Sequence, residues 1–284
     1  VFVPIDADPA VLDRLSGLGA VVERVARRPT ETGDPTVARL RAVLATGAIP
    51  FTCQGPENGL TIEGGQTLGY ELAEAVGQAG VTLDRVVIQV GGGALASAIA
   101  QGLAEARALG AIPTLPRLDA VQTTGGWPLR RAYERLAEEL RRRGFDPWQP
   151  LDLSATLPAS VLEDAARHRS RYMWPWDPAP RSIAHGILDD ETYDWLVVVR
   201  AMLASGGRPL LVDDHQLTRA ATLAGDLVGI PADETGAAGL AGVLELRRRG
   251  ELRPTDRLAV FMTGGRRHDQ PGASPPNPSH RRRR

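Results

Sequence analysis

One stretch constrains this chain more than any other. Arg85-Val86-Val87-Ile88-Gln89-Val90 runs straight into Gly91-Gly92-Gly93, and an Ala/Leu-rich helical pattern follows from Ala94. A short apolar run that breaks into glycines and then turns helical reads as a buried strand, a tight turn and a helix. Glycines let the backbone approach a ligand closely, and a helix start offers unpaired N–H groups and a partial positive charge. The segment therefore reads as a cradle for a phosphate or similar anion. It lacks the Gly-Lys-Ser/Thr ending of a P-loop and the Gly-x-Gly-x-x-Gly dinucleotide pattern. Taken alone, it also fits a plain β-α turn.

The same alternation extends along the chain. Residues 1–3 read as a strand, Asp8 as the N-cap of a helix over 10–18, residues 20–25 as a strand, 35–46 as a helix and 49–52 as a further strand. Thr67 is expected to cap a helix carrying Leu68, Leu72 and Val76 on one face. Leu118 to Gln122 resembles another strand, and residues 130–143 form a charged helical run with a mostly solvated face. Residues 144–181, rich in Pro and Trp, read as an irregular excursion. Beyond them come a helix over 193–204, a strand over 210–212, a helix capped by Asp213 or Asp214, a helix over 236–249 and a strand over 257–262. This order predicts an α/β fold of two lobes, with parallel sheets flanked by helices and a cleft between the lobes. Residues 1–55 would belong to the smaller lobe and 56–265 to the larger, with 266–284 a disordered tail.

Composition excludes several function classes. A formal net charge of -1 gives no global field for nucleic acid or an anionic membrane, and no apolar run is long enough to span a bilayer. Cys53 is the only cysteine, so an internal disulfide is excluded; it reads as a small buried residue, and a reducing, cytoplasmic setting is expected. His168, His185, His215, His268 and His280 show no metal-ligand spacing, so no metal site is expected. Asp189-Asp190-Glu191 reads as a solvated helix start, with a monovalent cation as the functional alternative. Trp174-Pro175-Trp176 reads as packing. All 33 basic residues are Arg. Without a lysine, no side chain carries the primary amine that condenses with a carbonyl cofactor.

Five ordered stretches carry a resemblance. They are Glu63 to Glu71, Val90 to Leu95, Pro116-Arg117 with Ala120-Val121-Gln122, Ile230 to Gly242, and Phe261-Met262-Thr263-Gly264. Together they resemble pyridoxal-phosphate enzymes of fold type II, the tryptophan-synthase-β class, and within it threonine synthases and serine/threonine dehydratases. The resemblance implies a cofactor, pyridoxal 5'-phosphate, whose phosphate is bound by Gly91, Gly92, Gly93, Ala94 and Leu95. It implies Thr263 at the pyridine nitrogen, where a neutral hydroxyl suits elimination or replacement at Cβ of a small amino acid over transamination. Glu234 is placed either near the ring or at the cap of the following helix. A homo-oligomer is also implied, with the Ala/Gly-rich helices as candidate interface.

The chain departs from the family at the chemical centre. The family's catalytic lysine and its substrate-carboxylate loop lie upstream of the strand that matches Val1 to Val3, so no catalytic residue is assigned here. A chain that opens on Val1-Phe2-Val3-Pro4 is expected to be a truncated piece of a longer protein. The alternatives are a non-catalytic paralogue serving as a binding or regulatory subunit, a cysteine-synthase-like β-replacement enzyme and, last, a nucleotide-binding Rossmann domain.

Overall fold

The computed structural model describes residues 1–28 and 33–265. The expected tail over 266–284 lies outside the described residues. The first elements are β1 (Phe2–Pro4), α1 (Pro9–Gly17), β2 (Glu23–Val25) and α2 (Pro35–Leu44). Asp8 caps α1 and Asp34 caps α2, each accepting a backbone N–H two residues on, with Pro at the first helical position. β1 and β2 pair in parallel and form a two-stranded sheet. The third strand expected over 49–52 does not form. Ile49 and Phe51 are exposed, with no neighbouring strand to pair with and no core to enter. Burial is thin in this part of the chain, where Val3 and Leu12 are the buried apolar side chains among the described residues.

The larger assembly follows as α3 (Gly59–Gln78), β3 (Arg85–Gln89), α4 (Ala94–Ala108), β4 (Arg117–Thr123), α5 (Pro128–Arg142) and α6 (Thr156–Arg167). It continues through α7 (Trp195–Ser205), β5 (Pro209–Val212), α8 (Asp214–Val228), α9 (Ala238–Arg248) and β6 (Leu258–Val260). Four strands form one parallel sheet in the order β5-β4-β3-β6. All five residues of β3 are buried, as a central strand covered on both faces requires. Val86, Ile88 and Val90 join a core with α4, α5, α6 and α7, whereas Val87, Val121, Leu210 and Val212 pack with α8 and α9. The period-two alternation of β3 therefore divides the two helical layers. The parallel α/β architecture agrees with the expected fold class.

Three local expectations need correction. α3 begins at Gly59, so Thr67 lies inside the helix and donates to Gly64 O instead of capping it. The glycines at 64 and 65 do not interrupt α3. A Cβ on Gly65 would come 2.7 Å from Ala98 Cβ, so that glycine lets α3 lie close to α4. α5 is not mostly a solvated face, because Leu129, Ala132, Tyr133, Leu136, Ala137 and Leu140 are buried while its Glu and Arg residues pair on the outside. Residues 144–181 also hold α6, which buries Val161, Leu162 and Ala165.

Candidate anion site at the carboxyl end of the sheet

β3 and β6 are parallel neighbours, so the chain leaves both at the same edge, the edge where open α/β sheets bind ligands. After β3 the backbone turns through Gly91-Gly92-Gly93. Gly93 adopts φ 99°, in the left-handed region, as the N-cap of α4, and its carbonyl accepts the first helical bond from Ser97 N at 2.9 Å. No side chain caps α4. The N–H groups of its first turn, which includes Ala94 and Leu95, and the positive end of a 15-residue helix are directed at one place. Space is also tight. A Cβ on Gly91 would collide with Asp189 Oδ2 and come 2.8 Å from Ile187 Cα, and one on Gly93 would lie 3.0 Å from Thr192 Cγ2. The donor set suits an anion.

After β6 the chain runs through Phe261 and Met262 to Thr263, whose side chain is exposed. Gln89, the last residue of β3, joins the two ends. Its Nε2 donates to Phe261 O at 3.1 Å and to Thr263 Oγ1 at 2.5 Å. A carbonyl accepts only, so the Phe261 contact fixes which end of the amide is the NH2. Thr263 Oγ1 consequently accepts from Gln89, and its own O–H hydrogen remains available as a donor. Asp233 braces the adjoining turn, donating its N–H to Gly264 O at 3.1 Å and accepting Gly236 N at 2.6 Å on Oδ1. The following helix, α9, has Ala237 at its N-cap and no side-chain cap, so Glu234 does not cap it. Glu234 is half-buried.

A third segment closes over the glycine turn. Thr192 Oγ1 donates to Gly91 O at 3.0 Å and Asp194 N to Gly92 O at 2.9 Å, while Gly55 N donates to Asp194 Oδ2 at 3.1 Å. The tyrosine ring of Tyr193 lies against Gly92. Asp189 sits on the turn itself. Burial raises its carboxyl to about 6, Asp34 and Asp190 push in the same direction, and the nearby Gly92 N–H opposes them. Desolvation also raises Asp194, which the Gly55 N–H counters. The expectation of a solvated helix start at Asp189-Asp190-Glu191 is thus overturned. The helix begins at Trp195, Asp190 is buried and pairs with Arg27 at 2.8 Å, and Glu191 pairs with Arg169.

Cys53 is exposed, contrary to the buried position expected of it, because residues 49–53 form no strand that would turn it inward. Its thiol is raised, by desolvation first and then by Asp189 and Asp194, which argues against a reactive thiolate. Trp174 packs as expected, with the Arg131 guanidinium 3.7 Å and that of Arg135 4.8 Å from its ring centre. Among the described residues no His, Cys, Asp and Glu side chains group to hold a metal ion, and no helix is long and apolar enough to cross a membrane.

With this geometry in place, residues 1–264 match the family model described as pyridoxal-phosphate dependent enzyme. The chain belongs to that family. It is 23% identical over 207 residues to the threonine synthase of Methanocaldococcus jannaschii and 24% identical over 207 residues to that of Methanosarcina acetivorans. Each alignment covers 73% of this chain and 42% of the relative, so the chain aligns with about two fifths of the length of these proteins. Among solved structures it resembles a T.th. threonine deaminase, with TM-score 0.61, 22% identity, and coverage of 95% of this chain and 70% of that one. A pyridoxal 5'-phosphate-dependent aspartate racemase gives TM-score 0.62, 16% identity, and coverage of 93% and 65%. At these identities the structural likeness speaks for the fold, which agrees with fold type II. For the family's cofactor, the glycine turn fits the phosphate end and the Thr263 hydroxyl offers a neutral donor. The 284 residues supply no lysine for the carbonyl end.

Proposed function

We propose that this chain is the cofactor-phosphate-holding part of a pyridoxal-phosphate enzyme of the threonine synthase or threonine/serine dehydratase type, acting on a small amino acid by elimination or replacement at Cβ. The observation that carries this reading is the meeting, at one sheet edge, of the capless N-terminus of α4 behind Gly91-Gly92-Gly93 with Thr263 held by Gln89. Backbone N–H groups from Gly91 to Leu95 would hold the phosphate, and Thr263 would face the pyridine nitrogen. Bound there, the cofactor supplies an electron sink for charge developing at Cα of the substrate. As a neutral hydrogen-bond partner, the Thr263 hydroxyl would favour the unprotonated ring nitrogen. The 189–194 segment is pinned to the glycine turn by Thr192 and Asp194.

No side chain among the 284 residues carries the primary amine with which a lysine would condense with the cofactor carbonyl and move the substrate α-proton. The test is a pyridoxal 5'-phosphate titration of the purified chain, read by equilibrium dialysis and by absorbance. Binding that Gly91→Val abolishes, without the red-shifted band of an amine-linked cofactor and without lyase turnover, is expected. A lysine-type absorbance band, or turnover by this chain, would overturn the reading. The second reading is a non-catalytic paralogue serving as a binding or regulatory subunit, and the absence of Lys is what favours it. Genomic DNA upstream of the Val1 codon separates the two: an in-frame segment encoding a Ser-x-Lys supports the enzyme, and a start codon directly before Val1 supports the paralogue.

A further inference from the structure

We propose that Asp189 is an internal occupant of the glycine turn, its carboxylate competing with an incoming phosphate-type anion for the space over Gly91 and Gly92. This rests on the reading of Gly91-Gly92-Gly93 as the phosphate site and adds a proton-linked control to it. The placement is direct. A Cβ on Gly91 would run into Asp189 Oδ2, and one on Gly92 would lie 3.7 Å from the same oxygen. The carboxylate therefore lies over two of the three glycines whose N–H groups suit an anion. The segment is held there from both sides, by Ile187 against Gly91 and by Thr192 and Asp194 bonded to the Gly91 and Gly92 carbonyls.

Two anions cannot share this place cheaply. A phosphate dianion entering beside an ionised Asp189 meets like charge in a partly desolvated site, where the repulsion exceeds its value in water. Protonated, Asp189 removes the repulsion and gains an O–H that can donate to the anion. Its surroundings already favour the neutral form, which holds the carboxyl near 6. The groups facing it are consistent with that. Asp34 at the start of α2 and Asp190 in its own segment raise it, Arg27 is committed to Asp190, Glu191 is committed to Arg169, and Cys53, Tyr193 and Asp194 contribute no positive charge. His185, four residues before it, is exposed.

Sulfate is the probe, because its charge is constant between pH 5.5 and 7.5 whereas that of phosphate changes. Titration of the 15N-labelled chain, following the Gly91, Gly92 and Gly93 amides, reports both affinity and place. If only the protonated form is competent, an ionisation near 6 makes binding at pH 5.5 roughly 25-fold tighter than at pH 7.5. Asp189→Asn and Asp189→Ala are expected to bind at pH 7.5 about as tightly as the parent does at pH 5.5, and to lose most of the pH dependence. Loss in the Asp189 variants also separates this group from His185. If the glycine amides respond to sulfate identically in parent and both variants at both pH values, Asp189 is no competitor, while the anion-site reading stands. If those amides respond in none of the three proteins, the anion-site reading fails and the proposal fails with it.

Discussion

Gln89 Nε2 lies 2.5 Å from Thr263 Oγ1, linking the end of β3 to the segment after β6 across 174 residues of sequence. The same amide donates to Phe261 O, while its Oε1 is buried with no partner among the described residues and faces Gly239, where an added Cβ would lie 3.1 Å away. The amide is therefore oriented by what its nitrogen can reach. Its oxygen bears an unmet desolvation cost that only a positional benefit offsets.

A double-mutant cycle tests that coupling. Thr263→Val is expected to lower stability by about 1 kcal/mol, the net value of one such bond. Gln89→Leu removes both bonds, to Thr263 and to Phe261 O, but also the orphan oxygen, so its cost should be of similar size. The double variant should fall short of the sum by roughly 0.5–1 kcal/mol. Urea unfolding monitored by tryptophan fluorescence measures all four corners. Strict additivity would show that the two side chains are merely adjacent.

Asp189 predicts an unusual pH dependence of stability. Its carboxyl is raised from an ordinary 3.8 to about 6 on folding, burial being the main cause. Between those values the folded state binds more protons than the unfolded chain, so this group's contribution falls as pH rises from about 4 to 6. Above 6 the whole penalty is present, worth up to about 3 kcal/mol. Asp189→Asn should therefore stabilise the chain at pH 7.5 and have little effect near pH 4. Melting curves of the two proteins at both pH values decide it, and a shift of equal size at each would count against the assignment.

Glu245 runs in the opposite direction. Hydrogen bonds from Arg248, Arg249 and Gln216 hold its carboxyl down to about 2, against the residual effect of burial. This contribution is complete above the ordinary Glu value near 4.5 and is lost as pH falls towards 2. Arg248 is well exposed, so solvent screening reduces the net worth of the cluster to about 2 kcal/mol. Glu245→Gln should cost that much at pH 7 and progressively less below pH 4, as read from urea midpoints.

What is legible in the sequence follows from how local each signal is. The strand–glycine–helix unit from Arg85 to Ala108 rests on neighbouring residues, and the structure builds it in that order. The strand expected over 49–52 depends on a partner that the two-stranded sheet does not provide. Asp189 reads as solvated in the sequence because a run of acids at a helix start usually is. Its position on Gly91 depends on Thr192 and Asp194 bonding to a turn about a hundred residues earlier, which no spacing rule reports. Gln89 is hidden for a related reason: inside a strand pattern it looks like an alternation residue, although a polar side chain before three glycines is a usable signal.

The glycines of the paired helices lead to the last prediction. The Ala/Gly-rich faces considered as interface candidates make contacts inside the chain. A Cβ on Gly69 would come 3.0 Å from Gly102 Cα, and one on Gly102 would come 2.6 Å from Gln66 O. α3 and α4 thus approach backbone to backbone, and the obstruction at Gly102 is a main-chain carbonyl that cannot rotate away. Gly102→Ala gains helix propensity of up to about 1 kcal/mol but forces the helices apart, at about 1–3 kcal/mol for an overpacked contact. A net loss of stability is expected. Gly64→Ala, on the same helix as Gly69 but with nothing within 4 Å of its Cβ position, should be neutral or stabilising. Urea unfolding of the two variants compares them directly. A Gly102→Ala protein as stable as Gly64→Ala would mean that the helices have room to separate.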